Sequence, residues 1–225
     1  MLSALVWLKR IRNTIGFLGM LLPWIALLGT ILASKHIDEI PEDFWKNLSI
    51  SATYYLTPAL TGILTTAAVV LMCYKGYPED NIPTTAAGVF GLMIVLFPCR
   101  CDFSAEYVGF FQLLADTSHT IHCISAVCFF LLLSYISLFL FTKTYQDKER
   151  TKQKIKRDTV YRICGYGMLA ALVFIPLPIR FPAKTFIVEA IALTFFGISW
   201  LVKGQAFGLF ADKNSETNTA EDLPQ

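Results

Sequence analysis

The sequence predicts an all-α polytopic membrane protein, a bundle of about six transmembrane helices. Three observations carry this. Of 225 residues, 55% are hydrophobic and 16% charged, with a mean hydropathy of +0.53. Soluble domains average roughly a quarter charged residues, so this chain has too little charge to cover an ordinary water-facing surface. The apolar residues come in long runs, near the roughly 20 residues a helix needs to cross about 30 Å of hydrocarbon. The runs do not alternate as barrel strands do, which leaves helices as the backbone form that satisfies its own hydrogen bonds in lipid.

Read in order, the chain opens on a short basic stretch with Lys9, Arg10 and Arg12, followed by a first span over 14–34 with Pro23 inside it. A signal-peptide core is usually about 7–15 residues; this run is longer and reads as a retained span. A polar connector, 35–53, leads to span two at 54–74, and Gly76 and Pro78 punctuate the turn after it. Span three covers 83–97, with Pro83 in its first turn and Pro98 just beyond its end. Residues 102–116 interleave Phe103, Tyr107, Phe110 and Phe111 with charges, the pattern of a short helix lying in the membrane interface. Span four follows at 118–142, then a strongly basic loop at 143–158, span five at 159–179 and span six at 185–202. The membrane domain thus covers 1–203, and the polar tail 204–225, rich in Asn, Thr and Glu, reads as disordered. No internal repeat and no separate soluble domain is visible.

Charge placement orients the bundle. Lys and Arg near span ends favour the cytoplasmic side. With the first residues inside, 14 of the 19 basic residues fall on the inner side and 5 outside. The reading is therefore a multi-pass cell-membrane protein with both termini cytoplasmic. The net charge of +2 selects no partner. The basic residues cluster beside spans, so membrane lipids, not nucleic acid, are the expected contacts. The six cysteines show no C-x-x-C spacing.

Orientation sorts the polar residues. The outer span ends collect Ser51, Tyr54 and Tyr55 before span two, Arg100 and Asp102 after span three, Ser118, His119 and His122 opening span four, and Glu189 one turn into span six. Ionisable residues inside spans are expensive and turn toward the bundle or a cavity. His122 and Glu189 lie at similar depth, so they are expected to meet, with a hydroxyl of Tyr54 or Tyr55 as another partner for His122. His119 and His122 share a helical face. With Asp102 or Glu189 they make an alternative zinc set, although His119 is expected to turn into water and the primary reading has no metal. Small residues at Gly88, Gly91, Gly165 and Gly167 suit close helix approach.

Several segments resemble an uncharacterised group of bacterial six-span membrane proteins, itself distantly similar to Frag/DRAM/Sfk-type membrane proteins. They are Ser49-Ile-Ser-Ala-Thr-Tyr-Tyr55, Tyr74-Lys-Gly-Tyr77, Ala87-Gly-Val-Phe-Gly91, Leu96-Phe-Pro98, His122 followed by Ala126, Tyr161-Arg-Ile-Cys-Gly165 and Phe196-Gly-Ile-Ser-Trp200. The group has an Arg-Asp pair early in span two, where this chain has Pro58 and Ala59. The resemblance implies a six-span fold and a membrane location, and no activity.

Two functions follow as expectations. The first is a non-enzymatic binding, sensing or accessory bundle with a polar pocket near the outer leaflet, its candidate residues His122, Glu189, His119, Asp102, Tyr54, Tyr55 and Ser51. The second is an intramembrane metal-dependent lipid hydrolase that resembles the ceramidase-like superfamily in outline. Zinc would sit on His119, His122 and Asp102 or Glu189, with Ser51 or Tyr54 stabilising an oxyanion.

Overall fold

The computed structural model describes residues 2–37, 40–76, 81–102, 104–143 and 151–208. Helices dominate them: α1 (Leu2–Ser34), α2 (Glu42–Lys46), α3 (Ala59–Cys73), α4 (Asn81–Leu96), α5 (Ala115–Tyr135), α6 (Lys152–Phe174) and α7 (Lys184–Lys203). A 3-10 turn at Ser51–Tyr55 leads toward α3, and a π-helical turn at Ile136–Leu140 extends α5. Among the described residues, three stretches are long and apolar enough to cross a membrane: Val6–Ser34, Ala115–Leu140 and Lys184–Lys203. The protein is therefore an all-α bundle with membrane-length helices. Helices α3 and α4 are apolar but have 15 and 16 residues; at 1.5 Å per residue they reach about 22–24 Å. Helix α6 has 23 residues, but charged side chains fill its first two turns.

The six larger helices form a closed ring. Each touches its neighbours in the order α1, α3, α4, α5, α6, α7, and α7 returns to pack on α1. Small residues set the close approaches. A Cβ on Gly88 would lie 2.5 Å from the Ala68 carbonyl oxygen of α3, and one on Gly197 would lie 2.7 Å from the Gly16 carbonyl oxygen of α1. Neither crossing admits a larger residue without parting two backbones.

The two ends of the ring differ. At one end, Tyr74, Phe141, Tyr161, Phe196 and Trp200 are fully or nearly fully buried. Trp200 meets Tyr74 and Phe141 edge-on, each at 5.1 Å between centroids. Cations close this end: Arg12 Nε donates to the Tyr74 hydroxyl at 2.9 Å, and Lys203 lies 4.9 Å from the Phe141 ring centre. Lys154 pairs with the buried Asp158 and also donates to the Phe141 carbonyl. The other end holds the polar residues considered below.

Three sequence expectations need correction or limits. Residues 107–114 form a small antiparallel hairpin, not an interfacial helix: Tyr107 pairs with Leu114 and Val108 with Leu113. Gly109 and Gln112 take positive φ values of 74° and 48°, which reverse the chain and break any helix. The aromatic residues Tyr107, Phe110 and Phe111 still point outward. The basic loop 143–158 is helical from Lys152, because Thr151 caps α6 by accepting from the Lys154 amide at 3.1 Å. Residues 144–150 lie outside the described residues. So does the tail from 209; before it, Ala206–Gly208 forms a 3-10 turn, so the predicted tail opens with ordered structure.

Candidate functional site: a polar hub around His122

The hub begins with a proline. In a continuing helix the Ile94 carbonyl would accept from the amide of residue 98, and Pro98 has none. Helix α4 stops at Leu96 and its last carbonyls need other donors. Side chains from neighbouring elements supply them. His122 Nδ1 lies 3.1 Å from the Ile94 oxygen and 2.9 Å from the Phe97 oxygen. Ser118 Oγ donates to the Pro98 carbonyl at 2.8 Å, and the Tyr55 hydroxyl to the Cys99 carbonyl at 2.7 Å. The Phe110 amide reaches the Leu96 carbonyl at 3.3 Å. Ser118 and His122 lie four apart on α5 and face the same broken helix end.

These contacts determine the tautomer of His122. Carbonyl oxygens only accept, so the ring proton sits on Nδ1. Nε2 is then a bare acceptor, 2.9 Å from Ser51 Oγ, and the serine hydroxyl donates to it. His122 is buried, whereas Ser51 is half-buried.

Ser51 begins the 3-10 turn whose entry is itself capped. The Ala52 amide donates to Ser49 Oγ at 2.9 Å, and the Ile50 amide donates to Glu189 Oε2 at 2.6 Å. Ser51 and Glu189 line one cavity of about 50 Å³, walled by Leu22, Leu60, Leu64, Ala126, Phe129 and Leu193 among others. It admits a few water molecules and is well below the roughly 300–1,000 Å³ of a pocket for a larger organic ligand.

The expected residues thus separate into three groups. Ser51, His122 and Glu189 converge, but His122 bonds to Ser51 and two carbonyls, and Glu189 to the Ile50 amide. The expected direct pair between His122 and Glu189 is not formed, because nearer backbone groups claim both side chains. Tyr54 and Tyr55 stack edge-on at 5.1 Å, and the Tyr55 hydroxyl serves Cys99, so neither tyrosine is the partner of His122. His119 and Asp102 line a separate, wetter cleft of about 530 Å³ with Arg100, Ser104 and Asp116. There the Arg100 amide donates to His119 Nδ1 at 3.3 Å and its guanidinium pairs with Asp116 at 2.6 Å. His119 is exposed, and the alternative zinc set is split between the cleft and the hub. No group of three His, Cys, Asp or Glu suited to a metal occurs among the described residues.

Sequence reasoning missed the backbone acceptors at Ile94 and Phe97. Pro98 was the available signal, since it strips a donor from the helix end beside His122.

The fold is a helical bundle with three membrane-length apolar helices among the described residues and a polar cluster at one end. The chain has no significant match among family models, curated proteins or solved structures.

Proposed function

We propose that this chain is a six-span membrane protein with both termini cytoplasmic, and that its hub is a ligand site used for binding or sensing. In this reading α1, α3, α4, α5, α6 and α7 all cross, the two short helices through a locally thinned bilayer. The resemblance to the uncharacterised six-span group and the 14-to-5 split of basic residues support it. Reporter fusions at Gln225 and within 143–158 should both report the cytoplasm; an external signal from either overturns the orientation.

The observation that carries the binding role is the cavity shared by Ser51 and Glu189. A hydroxyl and a carboxylate opening on an apolar-walled space suit a small polar group attached to a lipid better than a free polar solute. The test is capture of a photoactivatable phospholipid whose reactive group sits at the glycerol ester. Crosslinks to the segments carrying Ser51 and Glu189 support the site. Capture confined to the outer surface of α1 and α3 overturns it.

The metal-dependent lipid hydrolase remains the second reading because His119 and Asp102 share a cleft. Elemental analysis of detergent-purified protein separates the two. Stoichiometric zinc would favour the hydrolase.

A further inference from the structure

We propose that Ser51 and His122 form a nucleophile–base pair that takes an acyl group from an ester-linked lipid, without a metal. This goes beyond the binding role proposed for the same cavity, on which it rests. Three features of the hub carry it. Ser51 Oγ and His122 Nε2 are 2.9 Å apart, within the reach a general base needs. The far side of the ring is anchored by two carbonyls, from Ile94 and Phe97, at 3.1 and 2.9 Å. They hold the proton on Nδ1, aim Nε2 at the hydroxyl and stabilise the imidazolium that forms when Nε2 takes a proton. This is the orienting task a third group performs for a histidine base. Finally, Ser51 is half-buried and lines the cavity with Glu189.

The chemistry balances with water as the only co-reactant. Ser51 Oγ bonds to the ester carbonyl carbon as its proton passes to His122 Nε2, and the carbonyl π pair moves onto oxygen. Collapse of that oxyanion breaks the bond to the alkoxy group, which leaves with the proton from Nε2. Water then attacks the acyl-serine, giving its proton to Nε2. The second collapse releases the carboxylic acid and returns the proton to Ser51. An alcohol in place of water makes the same sequence an acyl transfer.

Glu189 has a defined place in this scheme. Its carboxyl group accepts from the Ile50 amide at 2.6 Å. A backbone amide beside a nucleophilic serine is where a developing oxyanion would be received. Glu189 occupies that position in the resting protein and must leave it for an ester to enter. The apolar cavity walls suit the ester end of an acyl lipid, and the cavity must widen beyond its about 50 Å³ as Glu189 leaves for the carbonyl carbon to reach Ser51.

The experiment is labelling of the full-length, detergent-purified protein with an alkyl fluorophosphonate, in which Oγ bonds to phosphorus and fluoride leaves. Mass spectrometry should place one phosphonyl adduct on Ser51. Ser51→Ala should remove it. His122→Gln, judged on monodisperse protein, should slow labelling by about a hundredfold or more, and Glu189→Gln should speed it. An adduct that persists in Ser51→Ala overturns the proposal. So does the absence of any adduct on both folded wild-type and folded Glu189→Gln protein. Phospholipid photocapture at the hub without fluorophosphonate labelling rejects the nucleophile and leaves the binding site standing; failure of both rejects both.

Discussion

The two ends of the helical ring solve the same problem by different means. At the hub end the backbone is broken repeatedly, at Pro98, at the entry to the 3-10 turn and between α6 and α7. Polar side chains are drawn inward to meet the orphaned groups. His122, Ser118 and Tyr55 serve the carbonyls from Ile94 to Cys99, Glu189 serves the Ile50 amide, and Lys184 Nζ donates to the Ile175 and Leu177 carbonyls at 2.8 and 2.5 Å. At the aromatic end, Trp200, Phe141, Tyr161 and Tyr74 fill the centre, and Arg12 and Lys203 reach it on long stems that leave their charges near the surface. At the hub end the buried polar groups answer broken backbone; at the aromatic end the buried Asp158 is answered by Lys154, and aromatic packing fills the rest.

That contrast sets an order of effects. Trp200→Ala should be the most damaging single change, costing about 4 kcal/mol, read as a lowered thermal midpoint of detergent-solubilised protein. A loss no greater than that of an exposed aromatic such as Trp7→Ala would show that packing does not hold this end. His122→Ala should follow at about 3 kcal/mol, since it strands two carbonyls and the Ser51 hydroxyl. His122→Gln should recover part of that loss, because its amide can still donate to a carbonyl. Equal losses from Ala and Gln would mean that ring volume, not hydrogen bonding, sustains the hub. Arg12→Ala should cost about 1 kcal/mol or less, and a larger effect would give the cations a structural role this comparison denies them. The smallest effect is chemical. Burial pushes the Cys99 thiol well above its ordinary range, so it stays protonated at neutral pH. Maleimide should modify exposed Cys73 before Cys99, and equal rates would mean that the chain beyond Pro98 is less tightly packed than described.

The all-α bundle was legible because long apolar runs depend on composition more than on detail. Span six was expected at 185–202, and α7 is Lys184–Lys203. Span four was expected to begin at Ser118, and α5 begins three residues earlier, at Ala115. Features set by single residues were harder to see. The 107–114 hairpin has only two residues in each strand, too few for alternation to register, and its turn depends on backbone angles that Gln112 does not advertise. The lysines at the start of α6 were counted as loop because charge outweighed the capping signal of Thr151. In the hub, residue type pointed correctly to an inward His122 but to the wrong partners. A search among side chains for its partner overlooks carbonyls, which every residue carries and which only a local break such as Pro98 sets free.

The return of α7 onto α1 has a consequence for biosynthesis. A helix inserted early can pack only on helices already made. α3 is available to α1 almost at once, but the face carrying Gly16 and Gly19 meets α7, which arrives about 170 residues later. During that interval the Gly16 surface is open to lipid, to a chaperone or to α7 of another copy. The last insertion event therefore closes the ring, and a chain truncated before α7 should persist as an open arc that proteolysis clears quickly.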